Sequence, residues 1–174
     1  MLTESLIREH TNLNKGILIG YSGGPDSTAL VHLLSSLKAY QELDVKAIHI
    51  NHNLSKHSAM WENHCIETCS KLNINLITES IEIKVDGGGL ESASRKARYR
   101  VFEKILNAGD QLLLGHHSDD VAETLFMRLL RGTGPDGMEG PKLQRPLGKG
   151  VLIRPFLEIS KKQILDYLNI SNIN

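Results

Sequence analysis

The stretch of sequence that decides the fold is Ser22-Gly23-Gly24-Pro25-Asp26-Ser27. It follows an apolar run over residues 15–21, which is typical of a buried strand. Residues 26–40 come next, with leucines and a valine at helical spacing. Two glycines between a strand and a helix allow a tight turn and a close backbone approach to a ligand. Because the N–H groups at a helix start attract anions, the hexapeptide predicts a phosphate-binding loop.

One residue of this loop, Asp26, carries the wrong charge for direct contact with phosphate. A bridging magnesium ion would resolve the repulsion, so Asp26 is the candidate metal ligand. The competing interpretation is a plain strand–turn–helix connection in which Asp26 or Ser27 only caps the helix. The segment is not a Walker A loop, since no Gly-Lys-Ser/Thr follows. It also lacks the Gly-x-Gly-x-x-Gly spacing of the dinucleotide fingerprint.

Strand-like and helix-like stretches alternate along the rest of the chain. We predict strands at residues 45–50, 74–83, 111–115 and 151–153, and helices at residues 59–72, 91–106, 119–130 and 160–168, the last capped by Ser160. The alternation predicts an α/β fold with a twisted parallel sheet of about five strands and helices on both faces. Ligands of such sheets bind beyond the carboxyl ends of the strands. Residues 132–150, rich in Gly and Pro, are predicted to form a long loop.

The composition excludes several classes of protein. The chain has 174 residues, 40% of them apolar, and 20 basic residues balance 20 acidic ones. These values are typical of one globular domain and argue against a disordered chain or a wholly basic nucleic-acid coat protein. No apolar run approaches the roughly 20 residues of a membrane span. The two cysteines, Cys65 and Cys69, form no disulfide framework, so we predict a cytoplasmic protein without membrane association.

Three further motifs follow the predicted strands, and with the loop they carry a resemblance. They are His49-Ile50-Asn51-His52-Asn53-Leu54, Glu91-Ser92-Ala93-Ser94-Arg95-Lys96-Ala97-Arg98-Tyr99-Arg100, and Leu114-Gly115-His116-His117-Ser118-Asp119-Asp120-Val121-Ala122-Glu123-Thr124. The loop resembles the SGGxDS signature of the PP-loop, or N-type ATP pyrophosphatase, superfamily. All four motifs together resemble the tRNA(Ile)-lysidine synthetase family, over about residues 16–156.

This resemblance implies a two-step ligation that uses ATP and Mg²⁺. In the family, the wobble cytidine of a tRNA(Ile) with a CAU anticodon attacks the α-phosphorus of ATP and releases pyrophosphate. The ε-amine of free L-lysine then displaces AMP, which leaves lysidine. The resemblance also implies that residues 22–27 bind the nucleotide.

The third motif holds candidate catalytic residues by itself. Asp120 and Glu123 are three apart, so a helix places both carboxylates on one face, where they can hold an amine of lysine. His116 is expected to titrate near neutral pH and to take a proton. The alternative is that both acids are solvated first-turn residues that only favour the helix dipole.

The second motif places Arg95 and Arg98 on one helix face. The resemblance implies that they act in catalysis by facing ATP or the reacting base, where fixed cations offset phosphate charge. The alternative is a solvated basic helix with an ordinary Glu91–Arg95 ion pair. The sequence departs from the family twice: Val121 stands where Gln is usual, and no Arg follows the His-Asn-His segment, where Lys56 could supply the charge instead.

The remaining predictions concern a tRNA-binding surface, packing of α-helical residues on the sheet, and candidate metal sites. A tRNA-binding surface is predicted at Arg128, Arg131, Lys142, Arg145, Lys149 and Arg154. Met60, Trp61 and Cys65 are expected to pack on the sheet. A metal site at His49 and His52 would need further ligands, and Cys65 with Cys69 lacks the spacing of a zinc site.

We expect residues 1–174 to form a single N-terminal catalytic domain, without the C-terminal tRNA-binding domains that the family usually carries. Two rival functions remain open. One is another PP-loop enzyme, such as a tRNA thiolase or an amidotransferase-type synthetase, and the other is a non-catalytic nucleotide-binding module. Neither composition nor motifs indicate an oligomeric state.

Overall fold

The computed structural model describes residues 2–52, 57–83, 89–134 and 139–173. In chain order, the elements within those ranges are α1 (Glu4–His10), β1 (Ile17–Gly20), α2 (Pro25–Tyr40), β2 (Val45–Asn51), α3 (Ser58–Lys71), β3 (Asn75–Ser80), α4 (Gly89–Ile105), β4 (Gln111–Leu113), α5 (Ser118–Leu130), β5 (Gln144–Leu147), β6 (Gly150–Ile153) and α6 (Lys161–Ile170).

The strands form one six-stranded sheet in the order β3-β2-β1-β4-β6-β5. β1 pairs in parallel with β2 on one side and with β4 on the other, so that Ile17 lies opposite both Val45 and Gln111. The strand order reverses between β1 and β4, which makes this the topological switch point of the sheet. In open α/β sheets the crevice at that point, outside the carboxyl ends, is where ligands bind.

Helices cover both faces of the sheet, as predicted. On one face, α1, α2, α3 and α6 bury residues such as Ile7, Leu34 and Ile164 against Ile19. On the other face, α4 buries Phe102, which packs in a smaller cluster with strand residues. Each strand of the centre is therefore apolar on both sides, which explains why its sequence lacks the alternation of a half-exposed strand.

The sequence-based predictions differ from the fold in three places. The sheet has six strands and not about five, because the predicted loop at 132–150 contains β5, which pairs antiparallel with β6. Its Pro146 is tolerated because β5 is an edge strand. The short helix α1 was not predicted, and β3 ends at Ser80, three residues before the predicted end.

Two other predictions are confirmed. The short strand predicted at 151–153 is β6, and Ser160 caps α6 in a capping box with Gln163. No helix in the described part of the chain is long and apolar enough to cross a membrane.

Candidate active site

The predicted phosphate loop lies between β1 and α2, at the switch point. Gly23 has φ +83°, a left-handed conformation that favours glycine. The N-cap of α2 is Gly24, which provides no side-chain cap, so the simple capping interpretation of Asp26 and Ser27 is wrong. The first-turn N–H groups of α2 are therefore left available to an anion.

Serine hydroxyls hold the loop in shape. The Ser27 hydroxyl donates to the Gly24 carbonyl at 3.0 Å and accepts from the Ser22 N–H at 3.2 Å. Its oxygen also lies 3.1 Å from that of Ser22. The backbone turn is thus organised before any ligand arrives, which reduces the ordering cost of binding.

A cavity of about 550 Å³ opens beside this loop, beyond the carboxyl ends of β1, β2 and β4. Six of the predicted site residues line it: Ser22, Asp26, Ser27, Arg98, His116 and Asp120. Gly23, Gly24, Pro25, Arg95 and Glu123 are not among its lining residues. His49 to His52 of the first further motif also line it, so all four sequence motifs reach one cavity large enough for a nucleotide-sized ligand.

Asp26 has the surroundings expected of a cation ligand. Its Oδ1 is buried and has no hydrogen-bond partner. The basic groups near it are His117 Nε2, 3.6 Å from Oδ1, and Lys161 Nζ, 3.8 Å from Oδ2. Mg²⁺ is typically held by one or two carboxylates together with substrate phosphates, and an unpartnered carboxylate oxygen beside a phosphate loop fits that donor set. No cluster of three or more metal-ligating side chains is found among the described residues.

His117 joins the two acidic parts of the site, and the sequence analysis gave it no role. Its side chain is buried, and its ring nitrogens lie 3.6 Å from carboxylate oxygens of Asp26 and Asp119 and 3.7 Å from that of Asp120. The Asp120 carboxylate also accepts the His117 backbone N–H at 2.9 Å. Asp120 is thus fixed in the first turn of α5, whereas Glu123 is exposed one turn further along.

His116 differs from its sequence-based prediction. Arg154 Nε donates to His116 Nδ1 at 3.2 Å. Burial, and next the nearby Arg154 charge, lower the pKa of His116 to about 4, although Asp120 acts in the opposite direction. The prediction that His116 titrates near neutral pH is therefore wrong, because partial burial and the neighbouring arginines both disfavour the charged ring.

The arginines of α4 surround Tyr99. The Arg95 guanidinium lies 5.3 Å from the centre of the Tyr99 ring, and that of Arg145 lies 5.1 Å from it. Arg98 lines the cavity, and its buried Nε has no partner. No ion pair joins Arg95 to Glu91, although the structure describes both. Burial lowers the pKa of Arg98, which an anionic ligand would offset.

The members of the predicted tRNA surface differ in exposure and position. Arg154 is only 3% exposed, and its guanidinium contacts His116, so its assignment to an exposed surface is wrong. Lys149 lies in the β5–β6 turn at the amino end of β6, the opposite end of the parallel sheet from the cavity. Arg131 and Lys142 are exposed, as a nucleic-acid contact requires.

The predictions for α3 are half right. Cys65 and Cys69 are buried and free, and burial raises the pKa of each thiol to about 12. Trp61 and Met60 were expected to pack on the sheet, but they are 50% and 61% exposed, and Trp61 lines the cavity.

Lys56, the residue predicted to replace the missing Arg, lies outside the described residues together with Leu54.

Comparison with known proteins places this fold and loop in a family. A model of the PP-loop domain matches residues 3–174. The chain belongs to the PP-loop domain family. Among solved structures, a U34-tRNA thiolase of Methanococcus maripaludis superposes with a TM-score of 0.74 at 19% identity, covering 98% of this chain and 63% of that one. The NMN synthetase of Francisella tularensis gives a TM-score of 0.60 at 18% identity, covering 98% and 69%. Both share the fold of this PP-loop domain.

Curated relatives are more similar in sequence. The tRNA(Ile)-lysidine synthase of Alkalilimnicola ehrlichii is 42% identical over 153 residues, which is 87% of this chain and 34% of the relative. That of Coxiella burnetii is 38% identical over 173 residues, which is 98% of this chain and 38% of the relative. This PP-loop domain therefore spans about a third of the length of the curated relatives it matches.

Proposed function

We propose that this PP-loop domain joins free L-lysine to the wobble cytidine of a tRNA(Ile) with a CAU anticodon, through an adenylated cytidine, and so forms lysidine. The observation that carries the proposal is the cavity at the switch point. It brings the phosphate loop, the Arg98 guanidinium and the first turn of α5 together. The 38–42% identity to tRNA(Ile)-lysidine synthases supports this reaction over those of other PP-loop proteins.

The nucleotide side of the cavity suits ATP. The N–H groups at the start of α2 point their partial charge at the phosphates, and Arg98 offsets the negative charge that develops on the α-phosphoryl group. Asp26 would hold Mg²⁺, which neutralises the departing pyrophosphate. The cytidine carbonyl oxygen forms a bond to the α-phosphorus, and the bond to pyrophosphate breaks.

The first turn of α5 suits the amino acid. Asp120 faces the cavity from α5, and Glu123 follows on the same helix. A carboxylate there attracts the ammonium groups of lysine and repels the triphosphate, so the two substrates separate by charge. In the second step the lysine ε-ammonium gives up a proton to water, and the neutral nitrogen bonds to the activated ring carbon. AMP then leaves with the former carbonyl oxygen, and the nitrogen releases a further proton to water. Both steps depend mainly on positioning and charge.

The cysteines argue against sulfur-transfer chemistry, the rival within the superfamily. The sequence holds only two, and both are buried with the pKa of each thiol near 12. The reactive form of cysteine is the thiolate, which these surroundings disfavour. A cytoplasmic location is part of the proposal, because tRNA, ATP and free lysine meet there.

Mass spectrometry of the anticodon nucleosides tests the proposal. The chain is incubated with tRNA(Ile), ATP, Mg²⁺ and lysine, and the wobble cytidine should gain the mass of lysine less that of water. A matched reaction without lysine should release pyrophosphate but leave no lysidine. Pyrophosphate release that does not depend on tRNA would favour another PP-loop reaction. ATP binding without any pyrophosphate would favour a nucleotide-binding module.

A further inference from the structure

Arg154 is a buried cation that the chain holds in a fixed place. It follows β6 directly and is 3% exposed. Its backbone N–H donates to the Leu143 carbonyl at 2.8 Å, and its Nη1 donates to the Lys142 carbonyl at 2.6 Å. No carboxylate pairs with it among the residues that the structure describes. A guanidinium buried without an acid is costly, so its position calls for a reason other than stability.

The contact with His116 supplies that reason. A guanidinium has donors and no acceptor, so in the 3.2 Å contact Nδ1 of His116 must be the acceptor. The ring is then neutral and carries its proton on Nε2. The other charged groups that face it are Asp120 from α5 and Arg95 and Arg98 from α4. Cations outnumber the single acid, which opposes any second proton on the ring.

We infer that Arg154 is a positioning residue that fixes His116 as the Nε2–H tautomer, so that His116 donates a hydrogen bond to a phosphoryl oxygen of the nucleotide and does not accept a proton from lysine. The inference rests on the proposed function for the identity of the ligand. His116 shares the cavity with Asp26 and the phosphate loop. Because Nδ1 accepts from Arg154, the Nε2–H group is the one that can bind a ligand. A neutral N–H donor held in place is suited to stabilise oxygens on which negative charge develops.

The tautomer can be observed without any activity. Long-range proton–nitrogen NMR spectra of the ¹⁵N-histidine-labelled chain, assigned with H116Q, should show His116 in the Nε2–H form. That form should persist unchanged from about pH 8 to about pH 5.5, where a free histidine would titrate. Arg154→Gln should restore titration or mix the tautomers, while thermal melting confirms that the variant is folded. An Nδ1–H ring, or an imidazolium at pH 7, in the parent chain would overturn the inference.

Two substitutions separate a donor from a base in the reaction. Glutamine can present an N–H near the place of Nε2 but cannot accept a proton at neutral pH, and alanine offers neither. Pyrophosphate release with tRNA should fall about 10²–10³-fold in kcat for His116→Ala, the usual loss of one donor to a developing oxyanion. His116→Gln should retain at least about ten times the activity of His116→Ala, and His10→Gln, outside the cavity, serves as a matched control.

Equal losses in His116→Gln and His116→Ala would show that a base is needed and would overturn the inference. Arg154→Gln should lower kcat more than it raises KM for ATP, because it removes orientation rather than a ligand contact. A parent chain that releases no pyrophosphate counts against the proposed function. The NMR spectrum decides the tautomer in either case, so the two failures are distinguishable.

Discussion

Replacing Gly24 by Val tests the phosphate loop with little disturbance of the fold. A Cβ built at Gly24 would have only Ser22 Oγ within 4 Å, at 3.5 Å, which is an ordinary contact. Its φ of −78° is accessible to any residue. The added side chain would instead occupy the space where a phosphate approaches the first-turn N–H groups. If it prevents one charged hydrogen bond, worth about 1.5–3 kcal/mol, ATP affinity should fall by roughly 10- to 150-fold.

The assay is titration calorimetry with ATP and Mg²⁺, beside a thermal melt of the same sample. Gly134→Val is a matched control, because a Cβ there meets nothing within 4 Å and the residue lies outside the phosphate loop, beyond the end of α5. Both variants should melt within a few degrees of the parent, and only Gly24→Val should lose ATP affinity. Unchanged affinity in Gly24→Val would refute the proposed role of the loop.

Three further predictions concern the acids and histidine of the cavity. Asp26→Asn should weaken nucleotide binding with Mg²⁺ more than without it, as measured by calorimetry; equal losses would contradict a metal role. Asp120→Asn should raise the lysine requirement about ten-fold or more, while pyrophosphate release without lysine persists; a loss of ATP affinity instead would assign Asp120 to the nucleotide. The native pKa of His116 is about 4 and the unfolded value about 6.5, so as pH falls from 6.5 to 4 the unfolded chain takes the proton first. Urea unfolding should therefore show stability lost over that range, on the order of 3 kcal/mol at most, and His116→Gln should lose less.

The sequence predicted correctly those features whose backbone conformation is determined by residues close together in the chain. The segment Ser22 to Ser27 contains its own turn, its glycines and the start of its helix, so neighbouring residues specify most of its shape. The apolar runs likewise predicted the central strands, because a strand buried on both faces has few other compositions open to it. Ser160 specified a helix start for the same local reason.

The features that the sequence did not predict depend on residues far away in the chain. β5 is a short run with a proline, and it becomes a strand only because β6 pairs with it in antiparallel register. Arg154 was assigned to a tRNA-binding surface together with the other basic residues around the Gly- and Pro-rich stretch. Its burial follows from contacts with Lys142, Leu143 and His116, the last of them 38 residues away. The same contact moves the pKa of His116, which no spacing in the sequence could have indicated.

Gly115 lies where the loop after β4 meets the start of α2. A Cβ there would stand 3.0 Å from the backbone carbon and oxygen of Asp26 and 3.2 Å from the nitrogen of Ser27. The contact is between two stretches of backbone, so no side chain could change rotamer to make room for a larger residue. A side chain at this position would therefore push the loop after β4 away from the start of α2, so Gly115 sets how closely the turn proposed to hold lysine can approach the loop proposed to hold ATP.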